Sequence, residues 1–514
     1  MTMPETARKR LAIAGLSLSA FVAFLDFAIV NTALPSIQRD LTLTFVQLQW
    51  VMNIFVLALS IFMVNMGRFG DIFGRRVLLY TGMACFAAAS LFAGLAPNGP
   101  MLIAARAFQG FAITMIVPSS LALVSHTVAP SERGRAIGIW TSVTGVGLAI
   151  GPVAGGLLTS VLSWRWIFFV NIPIVAIAFA LCSMSIKDAV RSDTEERVDW
   201  AGFLLMILGI GSLVSAIVQG PEWGWTSPPV IALALVAIVS LGVLYVVEWN
   251  VKSPILDLAL FANRGFLSGA FANFTLIAFA YSAFFLMPLY LRSIVGQEPY
   301  AIGFLMLPIT VLIVIVAPVA GRIVDTKGAK LPVLLGLMSL AVSALVQSML
   351  QDTSSLLHIL TAFVFVGLGW GLILSSAAFS AISSLPHTLA GTASGALWTV
   401  QNLGGSIGLA IAGTIFRHAE RTSLMNGLAA SDIDLNQDQQ NLIRSLLSDP
   451  NEAKRIIAEF PSGLADSIWP LFRNAFMHGY SCAFLFLLGL SLAAFLIVAA
   501  MMQNIARKEL KASA

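Results

Sequence analysis

The stretch GRFGDIFGRR at residues 67–76 returns in a diverged form, GRIVDTKGAK, at residues 321–330. Each copy follows one long apolar run and precedes another. The copies share a glycine, an aspartate four positions on, a second glycine three positions further and then a cation. Equivalent polar turns that lie 254 residues apart predict an internal duplication. This pattern is typical of membrane transporters that are built from two related halves.

The composition also indicates a membrane protein. Charged residues make up 11% and hydrophobic residues 58% of the 514 residues, and the mean hydropathy is +0.89. A soluble domain carries about 25% charged residues. A chain of this length cannot hide so much apolar surface from water, so we expect lipid to cover it. The net charge of +4 does not indicate a nucleic-acid partner, because the excess of Lys and Arg has a topological cause given below.

The cysteines and the N-terminus exclude two further classes. Cys85, Cys182 and Cys482 all lie in apolar segments, and the sequence has no CxxC or Cys/His cluster. We therefore expect neither a metal site nor a disulfide framework. The first ten residues, MTMPETARKR, lead directly into a long apolar segment without a cleavage site after a short apolar region. We interpret this segment as a retained first helix and not as a signal peptide.

Fourteen apolar runs are long enough to cross a bilayer, which takes roughly 20 residues per helix. They cover residues 12–34, 47–67, 77–95, 100–125, 135–159, 166–186, 200–219, 229–249, 265–291, 302–321, 332–350, 356–381, 391–416 and 474–503. The predicted fold class is therefore an all-α integral membrane protein with fourteen transmembrane helices. The segment 417–473 is the only long polar stretch between helices. It can be an external amphipathic hairpin, a docking surface or a partly disordered loop.

The Lys and Arg residues predict the orientation. If the N-terminus is cytoplasmic, the cytoplasmic segments hold nineteen of them and the short external loops hold three. Because positive residues accumulate in cytoplasmic loops, both termini are predicted to be cytoplasmic. This skew also accounts for the basic pI.

The spacing of the repeat predicts the domain organisation. Six helices with short loops need only about 200 residues, so a repeat distance of 254 residues leaves room for an extra helix pair. We divide the chain into residues 1–199 (a six-helix bundle, helices 1–6), residues 200–264 (an inserted helix pair, helices 7–8, and a cytoplasmic linker) and residues 265–514 (a second, pseudo-symmetric six-helix bundle, helices 9–14, with the external loop 417–473).

Six motifs in order carry a resemblance to a known family. They are LDFAIVNTALPSI (25–37), GRFGDIFGRR (67–76), RAFQG (106–110), GLAIGPVAGG (147–156), WRWIFFVNIPI (164–174) and QNLGGSIGLAI (401–411). With these motifs the chain resembles the major facilitator superfamily, and more narrowly its fourteen-helix drug:proton antiporters. The resemblance covers nearly the whole chain. It implies a multi-pass protein of the bacterial cytoplasmic (inner) membrane that works by alternating access.

In the family, the GRFGDIFGRR motif latches the two halves in the outward-facing state. The residues assigned to this gating latch are Gly67, Asp71, Gly74, Arg75, Arg76 and, in the second copy, Asp325. From the residues themselves, we expect Gly67 and Gly74 to permit close approach and tight turning. We expect Asp71 to lie near a helix start, where the helix dipole favours an anion. A charged turn that only keeps the loop cytoplasmic is the alternative, above all for the second copy, where Ala329 replaces an expected arginine.

The GLAIGPVAGG motif is predicted to be a packing face. Gly147, Gly151, Gly155 and Gly156 remove side chains, which lets another helix approach closely, and Pro152 can kink the helix. The resemblance implies an antiporter motif that packs against the tenth helix and blocks leak. Ordinary small-residue packing is the alternative.

Asp26 and Arg106 are the candidates for proton coupling. A charge in the middle of a membrane costs at least about 2.5–3.5 kcal/mol, so such a residue is functional by default. Asp26 lies among apolar neighbours in the first predicted helix, where desolvation disfavours the charged form of a carboxyl and suits a proton carrier. Arg106 is the only cation in the predicted membrane interior, and Gln109 would help to hold the pair. The alternative for both is a structural tie between helices.

The substrate is constrained only by charge. We find no acid in the predicted membrane interior besides Asp26, and a dication among apolar walls would be costly without a second anion. We therefore expect a neutral, zwitterionic, monocationic or anionic small molecule. Arg292 can face an external vestibule or reach to the interface. The candidates for the substrate cavity are Asn31, Trp50, Asn53, Gln109, Tyr281, Trp398 and Gln401, each with packing or lipid contact as the alternative.

The leading hypothesis is a proton-coupled exporter of amphipathic small molecules, driven by the proton gradient without a cofactor. A dedicated exporter of one metabolite, such as a siderophore or peptide, is the second. A non-transporting membrane sensor or scaffold is an alternative of another class. We do not expect an enzyme, since no GxxxxGK[ST] run supports ATP hydrolysis. The expected partners are the small-molecule substrate, protons and the lipid bilayer, but not nucleic acid. We expect a monomer, and the resemblance allows a periplasmic adaptor and outer-membrane channel in a Gram-negative cell.

Overall fold

The structure is a computed structural model that describes residues 4–128, 132–186, 200–250, 258–385, 389–431 and 462–503. Helices dominate these residues, and no strand occurs among them. The fourteen long helices are α1 (Glu5–Asp40), α2 (Phe45–Phe73), α3 (Arg75–Gly94), α4 (Gly99–Thr127), α5 (Arg133–Val161), α6 (Asn171–Ser185), α7 (Trp200–Trp223), α8 (Pro228–Asn250), α9 (Arg264–Ser293), α10 (Pro299–Lys327), α11 (Lys330–Ser348), α12 (Leu356–Ser383), α13 (Ala390–Ala430) and α14 (Ser462–Met501). A helical turn, Trp166–Phe169, precedes α6, and a 3₁₀ turn, Leu258–Ala262, precedes α9.

The predicted fold class is confirmed. Within the described residues, thirteen spans are long and apolar enough to cross a membrane, with the turn Trp166–Phe169 and α6 forming one of them. Each matches a predicted segment. The fourteenth segment corresponds to α13, whose middle carries the polar and glycine-rich stretch QNLGGSIG. Packing against α2, α9 and α14 buries this helix, which accounts for its lower apolarity.

Local capping signals set several helix starts. Thr44 and Gln47 form a capping box at α2, in which each side chain accepts a hydrogen bond from the other residue's backbone N–H. Asn98 caps α4, Asn263 caps α9 and Ser355 caps α12, and each of these side-chain oxygens accepts a hydrogen bond from a backbone N–H in the first turn. These bonds satisfy N–H groups that a helix leaves free in its first turn.

The duplicated turn has a glycine with a positive φ in both copies. α2 ends at Phe73, Gly74 has φ +97°, and α3 begins at Arg75. In the second copy α10 ends at Lys327, Gly328 has φ +87°, and α11 begins at Lys330. Both glycines adopt a positive φ that other residues rarely take, so the second glycine of each motif makes the turn.

Two details of the predicted turn are wrong. α2 continues to Phe73 and not only to residue 67, so Gly67 lies inside a helix and does not make the tight turn. Asp71 lies in the last turn of α2 and not at the start of a helix, so the dipole of its own helix does not favour it. The side chain of Asp71 is outside what the structure describes, as are those of Arg68 and Ile72.

Successive helices run in opposite directions, so their ends form two faces. We call the face with Glu5, Gly74 and Gly328 the N-terminal face, and the face with Asp40 and Arg165 the far face. At the far face α13 runs on to Ala430 and α14 starts at Ser462, beyond the predicted limits of 416 and 474. The predicted loop 417–473 is therefore helical at both ends, and its central part, residues 432–461, lies outside the described residues.

Contacts group the helices into two sets joined at two seams. α1 packs on α4, α5 and α6, and α2 and α3 pack on α4. α9 packs on α12, α13 and α14, and α10 and α11 pack on α12. The seams between the sets are α5 against α10 and α2 against α13. α7 pairs with α8 and also lies against α2 and α13, while α8 exposes most of its apolar surface.

Candidate functional site

A buried ion pair lies in the first set of helices. Arg106 Nη1 on α4 donates a hydrogen bond to Asp26 Oδ2 on α1 at 2.5 Å, and both side chains are 0% exposed. The sequence predicted both residues, and the structure brings them together. A charged pair this deeply buried is expected to have its remaining polar atoms satisfied, because desolvation offsets the attraction between the charges.

Two amides complete the environment of the carboxylate. Asn171 Nδ2, at the start of α6, donates to Asp26 Oδ1 at 2.7 Å, and Gln109 Nε2 donates to the same oxygen at 3.1 Å. Gln109 also donates to Ser90 Oγ on α3 at 2.9 Å and accepts from Arg106 Nη1 at 2.9 Å. The carboxylate therefore receives three donors from two helices, so both of its oxygens are hydrogen-bonded.

Arg106 is held on its other side by α2. Its Nε donates to the backbone carbonyl of Val51 at 3.3 Å, and its guanidinium carbon lies 4.1 Å from the centre of the Phe55 ring. This stacking is a cation–π contact that favours the charged guanidinium. Nη2 is buried without a hydrogen-bond partner in the described part of the chain. The arrangement can hold a charge or a proton in the membrane interior while water is excluded.

Asp26 is adjacent to a contact with the second set of helices. The ring of Phe27, the next residue, lies 4.4 Å from the Tyr281 ring and 6.2 Å from the Phe284 ring on α9. Asn31 Nδ2 donates to the Phe27 carbonyl at 2.6 Å, and its Oδ1 is buried without a partner in the described residues. The aromatic contact places the ion pair one residue away from the boundary between the two sets.

The α2–α13 seam is joined by polar side chains. Gln49 Nε2 donates to the carbonyls of Leu409 and Ala410 at 2.9 and 3.3 Å. Ser406 Oγ donates to Asn53 Oδ1 at 2.6 Å. The sequence predicted Asn53 in a substrate cavity. In this structure its side-chain oxygen accepts the hydrogen bond from Ser406 across the α2–α13 seam.

The α5–α10 seam uses only part of the glycine-rich motif. Gly156 lies against Pro299 and Tyr300, and the backbone of Pro152 lies against Gly303. Tyr300 N donates to Ser160 Oγ at 3.1 Å, and Thr310 Oγ1 donates to the Ala149 carbonyl at 3.3 Å. These contacts run from the far face to the middle of both helices.

The other three motif glycines face α1 and not α10, which corrects the predicted packing face. An added Cβ at Gly147 would meet Phe21, at Gly151 it would meet Ala28, and at Gly155 it would meet Ile29. Because α1 lies in the same set as α5, these glycines allow close packing within the first set. α5 therefore packs closely against α1 on one side and against α10 on another.

The α5–α10 seam opens toward the N-terminal face. Gly145 and Gly138 continue the α10-facing side of α5, since they lie 4 and 11 residues before Ala149. Gly321 continues the α5-facing side of α10. Among the residues that the structure describes, a Cβ added at any of these three glycines would meet nothing within 4 Å. The seam is thus closed at the far face and separated at the N-terminal face.

The equivalent cations of the repeated motif, Arg76 and Lys330, both have contacts in the structure. The guanidinium of Arg76 lies 5.5 Å from the Tyr80 ring, and that ring contacts Phe179 on α6. Lys330, its counterpart in the second copy, donates to the Ala499 carbonyl in the last turn of α14 at 2.8 Å. A cation near a helix C-terminus is favourable. Each cation therefore contributes to holding the last helix of its own set. Arg75 and Asp325 also have partners, so neither is a free charge.

The remaining cavity candidates are dispersed. Trp50 packs with the α7 cluster around Met206 and Ile210 and not beside the ion pair. Tyr281 lies on Phe27, as described, and Trp398 is half-buried against the main core. Gln401 on α13 is 8% exposed. Arg292 pairs with Glu298 at 2.8 Å and donates to the Gln297 carbonyl, so it ties its own loop at the far face.

Sequence reasoning missed two features. Asn171 was only part of a quoted motif, although an asparagine at the start of an apolar helix is itself a signal for a buried polar role. Glu420 was assigned to a loop, but α13 extends past it, and it is 2% exposed beside Arg417. Glu420 lies near the far-face end of α13 and is not part of the ion-pair site.

Comparisons with known proteins agree with this architecture. A family model described as Major Facilitator Superfamily matches residues 16–409. The chain is 33% identical over 406 residues to "Multidrug resistance protein Stp" of Mycobacterium tuberculosis, covering 79% of this chain and 75% of that protein. It is 30% identical over 392 residues to the "Tetracenomycin C resistance and export protein" of Streptomyces glaucescens, covering 76% and 73%.

A solved structure supports the fold. The crystal structure of a bacterial homologue of the human lysosomal transporter Spinster, in an inward-facing and occupied conformation, matches with a TM-score of 0.68 at 14% identity and covers 98% of both chains. At this identity the likeness concerns the fold alone. Since these families are transporters, the expectation that the chain is not an enzyme is confirmed. The chain is a multi-pass membrane protein and belongs to the major facilitator superfamily of transporters.

Proposed function

We propose that this transporter is a proton-coupled antiporter, which exports amphipathic small molecules from the cytoplasm in exchange for protons. The observation that carries the proposal is the buried Asp26 carboxylate, held by Arg106 in the interior of the first set of helices. A mid-membrane carboxylate is costly and serves a proton or ion pathway by default. Its relatives include proteins whose names indicate drug resistance or export.

Coupling requires that Asp26 gain and lose its proton in different conformations. In the present arrangement Arg106, Gln109 and Asn171 donate hydrogen bonds to the two carboxylate oxygens of Asp26. Phe27 links Asp26 to α9, so a rearrangement between the two sets alters the surroundings of the carboxylate. We propose that the sets correspond to residues 1–199 and 265–514, and that they rock against each other along the α2–α13 and α5–α10 seams.

The proposed orientation gives the direction of access. With both termini cytoplasmic, the separated side of the α5–α10 seam faces the cytoplasm and the closed side faces outward. A substrate that enters from the cytoplasm would then displace the proton from Asp26, which leaves to the same side. Proton uptake from outside would follow after the contacts Gly156–Tyr300 and Asn53–Ser406 between the two sets separate.

Proton release from the purified full-length protein on substrate addition tests the proposal. Ethidium and rhodamine 6G serve as monocations and chloramphenicol as a neutral compound. We expect release from the native protein and none from Asp26→Asn. Asp40→Asn is the matched control, because Asp40 is an ion-paired carboxyl on the same helix but lies half-exposed at the far face. Equal release from the native protein and Asp26→Asn would refute Asp26 as the carrier.

A dedicated exporter of one compound is the second candidate. It is favoured by the absence of a second acid within the apolar runs among the described buried residues, since Glu248 lies near the end of α8 and Glu420 lies beyond the apolar run 391–416 of α13. The name of the tetracenomycin C exporter also indicates a single compound for that relative. Competition separates the candidates, because unrelated compounds should displace each other only in a broad exporter. No proton release with any compound would instead favour a narrow substrate or a non-transporting role.

A further inference from the structure

Asn171 is a buried polar residue at the ion pair, and only one end of its side-chain amide is hydrogen-bonded there among the described residues. It is the first residue of α6 and follows the break at Val170, where the helical turn Trp166–Phe169 ends. Its side chain is 0% exposed, and its Nδ2 lies 2.7 Å from Asp26 Oδ1, closer than Gln109 Nε2 at 3.1 Å. α6 therefore contributes directly to the carboxylate's environment.

The two amides around Asp26 differ in their freedom. Gln109 uses both ends of its amide, since Oε1 accepts from Arg106 and Nε2 donates to Ser90 and Asp26. Asn171 uses only Nδ2, and its Oδ1 is buried without a partner among the described residues. Turning the Gln109 amide over would break three bonds, whereas turning the Asn171 amide over would break only the bond to Asp26.

The chemistry of a carboxyl makes this difference important. An ionised carboxylate only accepts hydrogen bonds, whereas a protonated one also has an O–H to donate. Arg106 has no acceptor atom, and the oxygen of Gln109 is already engaged. The unused Oδ1 of Asn171 is therefore the side-chain acceptor in this network that is available to a protonated Asp26.

We propose that Asn171 is the positioning residue that serves Asp26 in both protonation states. Its Nδ2 donates to the ionised carboxylate, and after the amide turns over, its Oδ1 accepts the O–H of the protonated carboxyl. The proton rests on Asp26 Oδ1, and Arg106 keeps its contact with Oδ2 throughout. This inference rests on the proposed function, in which Asp26 carries the proton.

The groups that face the ion pair from the neighbouring helices include no second carboxyl among the described residues. Arg106 of α4 is the charged group in contact with Asp26. α3 presents Ser90 to the network, α2 presents the Val51 carbonyl and the Phe55 ring, and α5 presents glycines. α9 brings the phenol of Tyr281 to Phe27 but not to the carboxylate. A carboxyl signal from this site therefore belongs to Asp26.

The test is the infrared difference spectrum of the reconstituted full-length protein between acid and alkaline pH, since the C=O stretch of a protonated carboxyl reports its hydrogen bonding. The variants are Asn171→Leu, which keeps the size but not the polar atoms, and Asn171→Thr, whose hydroxyl can donate or accept. Gln347→Met is the matched control. Gln347 is an equally buried amide on α11 in the second set, bonded to Ser343 of α11 and Tyr480 of α14.

We expect the native protein to give a carboxyl band that Asp26→Asn removes. Asn171→Leu should move this band to higher wavenumber and lower the ethidium transport rate about 5- to 100-fold, since the acid's O–H loses its partner. Asn171→Thr should recover part of both, and Gln347→Met should leave the band in place. A band that Asp26→Asn removes but Asn171→Leu does not move overturns the role of Asn171 alone. A band that survives in Asp26→Asn overturns the proton carrier itself.

Discussion

Replacing Gly156 by alanine should weaken the closed far face of the α5–α10 seam. A Cβ at Gly156 would lie 3.0 Å from Tyr300 Cα and 3.1 Å from the Pro299 carbonyl carbon, whereas ordinary contacts lie at 3.4–4 Å. These obstacles are backbone atoms, so no side chain can rotate away. α10 must therefore retreat from α5 where the two sets of helices meet.

The magnitude follows from the cost of overpacking. Inserting a methyl group into a packed contact typically costs about 1–3 kcal/mol. This cost falls on the conformation that is closed at the far face, because Gly156 meets α10 only when the seam is closed there. The ratio of far-face-open to far-face-closed molecules should therefore rise by about 5- to 150-fold.

Pulsed electron–electron resonance between two spin labels measures this ratio. Val161 on α5 and Leu357 on α12 suit the labels, because both lie at the far face on different sets and each is 75% exposed. The native cysteines Cys85, Cys182 and Cys482 are first replaced. Gly138→Ala is the matched control, since it adds the same methyl to the same side of α5 at a position where no described residue lies within 4 Å. A distance distribution that is unchanged in Gly156→Ala, or changed equally in Gly138→Ala, would refute this reasoning.

Three further predictions concern single contacts. Arg106→Lys should abolish proton-driven transport while the protein still inserts, because the single ammonium nitrogen cannot replace both Nη1, which bonds Asp26 and Gln109, and Nε, which bonds the Val51 carbonyl; retained transport in vesicles would contradict the proposed role of the guanidinium. Gly74→Ala should lower thermal stability by on the order of 1 kcal/mol, because φ is +97° there, whereas Gly242→Ala in α8, with nothing within 4 Å, should not lower it. Lys330→Met should destabilise the end of α14 by about 1 kcal/mol through loss of the bond to the Ala499 carbonyl, which faster amide hydrogen exchange in the last turn of α14 would detect.

The helix count and the site residues could be predicted because they depend on local properties. Each membrane helix carries its own apolar run, and a buried charge such as Asp26 or Arg106 is conspicuous among apolar neighbours. The repeated motif predicted two equivalent turns, and Gly74 and Gly328 take the same backbone conformation. The exact helix ends were harder to predict from the sequence, because the polar end of α2 and the extensions of α13 and α14 are helical without being apolar.

The tertiary contacts of the motif residues could not be predicted from these local properties. Three of the four motif glycines pack on α1, although the motif alone favoured α10. Asn171 reaches Asp26 from a helix 145 positions away along the chain. Trp50 was expected in a cavity, but it lies against α7, because the inserted pair covers that side of α2.

The sequence by itself determined the membrane class, the fourteen segments, the duplication and the identity of the buried ionisable pair. Only the tertiary structure decided which helix faces meet, which atoms surround the Asp26 carboxylate, and which end of the α5–α10 seam is closed. The physical reason is that lipid is as apolar as the side chains of these helices, so hydrophobicity does not distinguish a face buried in protein from a face in the bilayer. Close packing of small residues and paired polar atoms makes that choice, and both depend on residues that are distant in the chain.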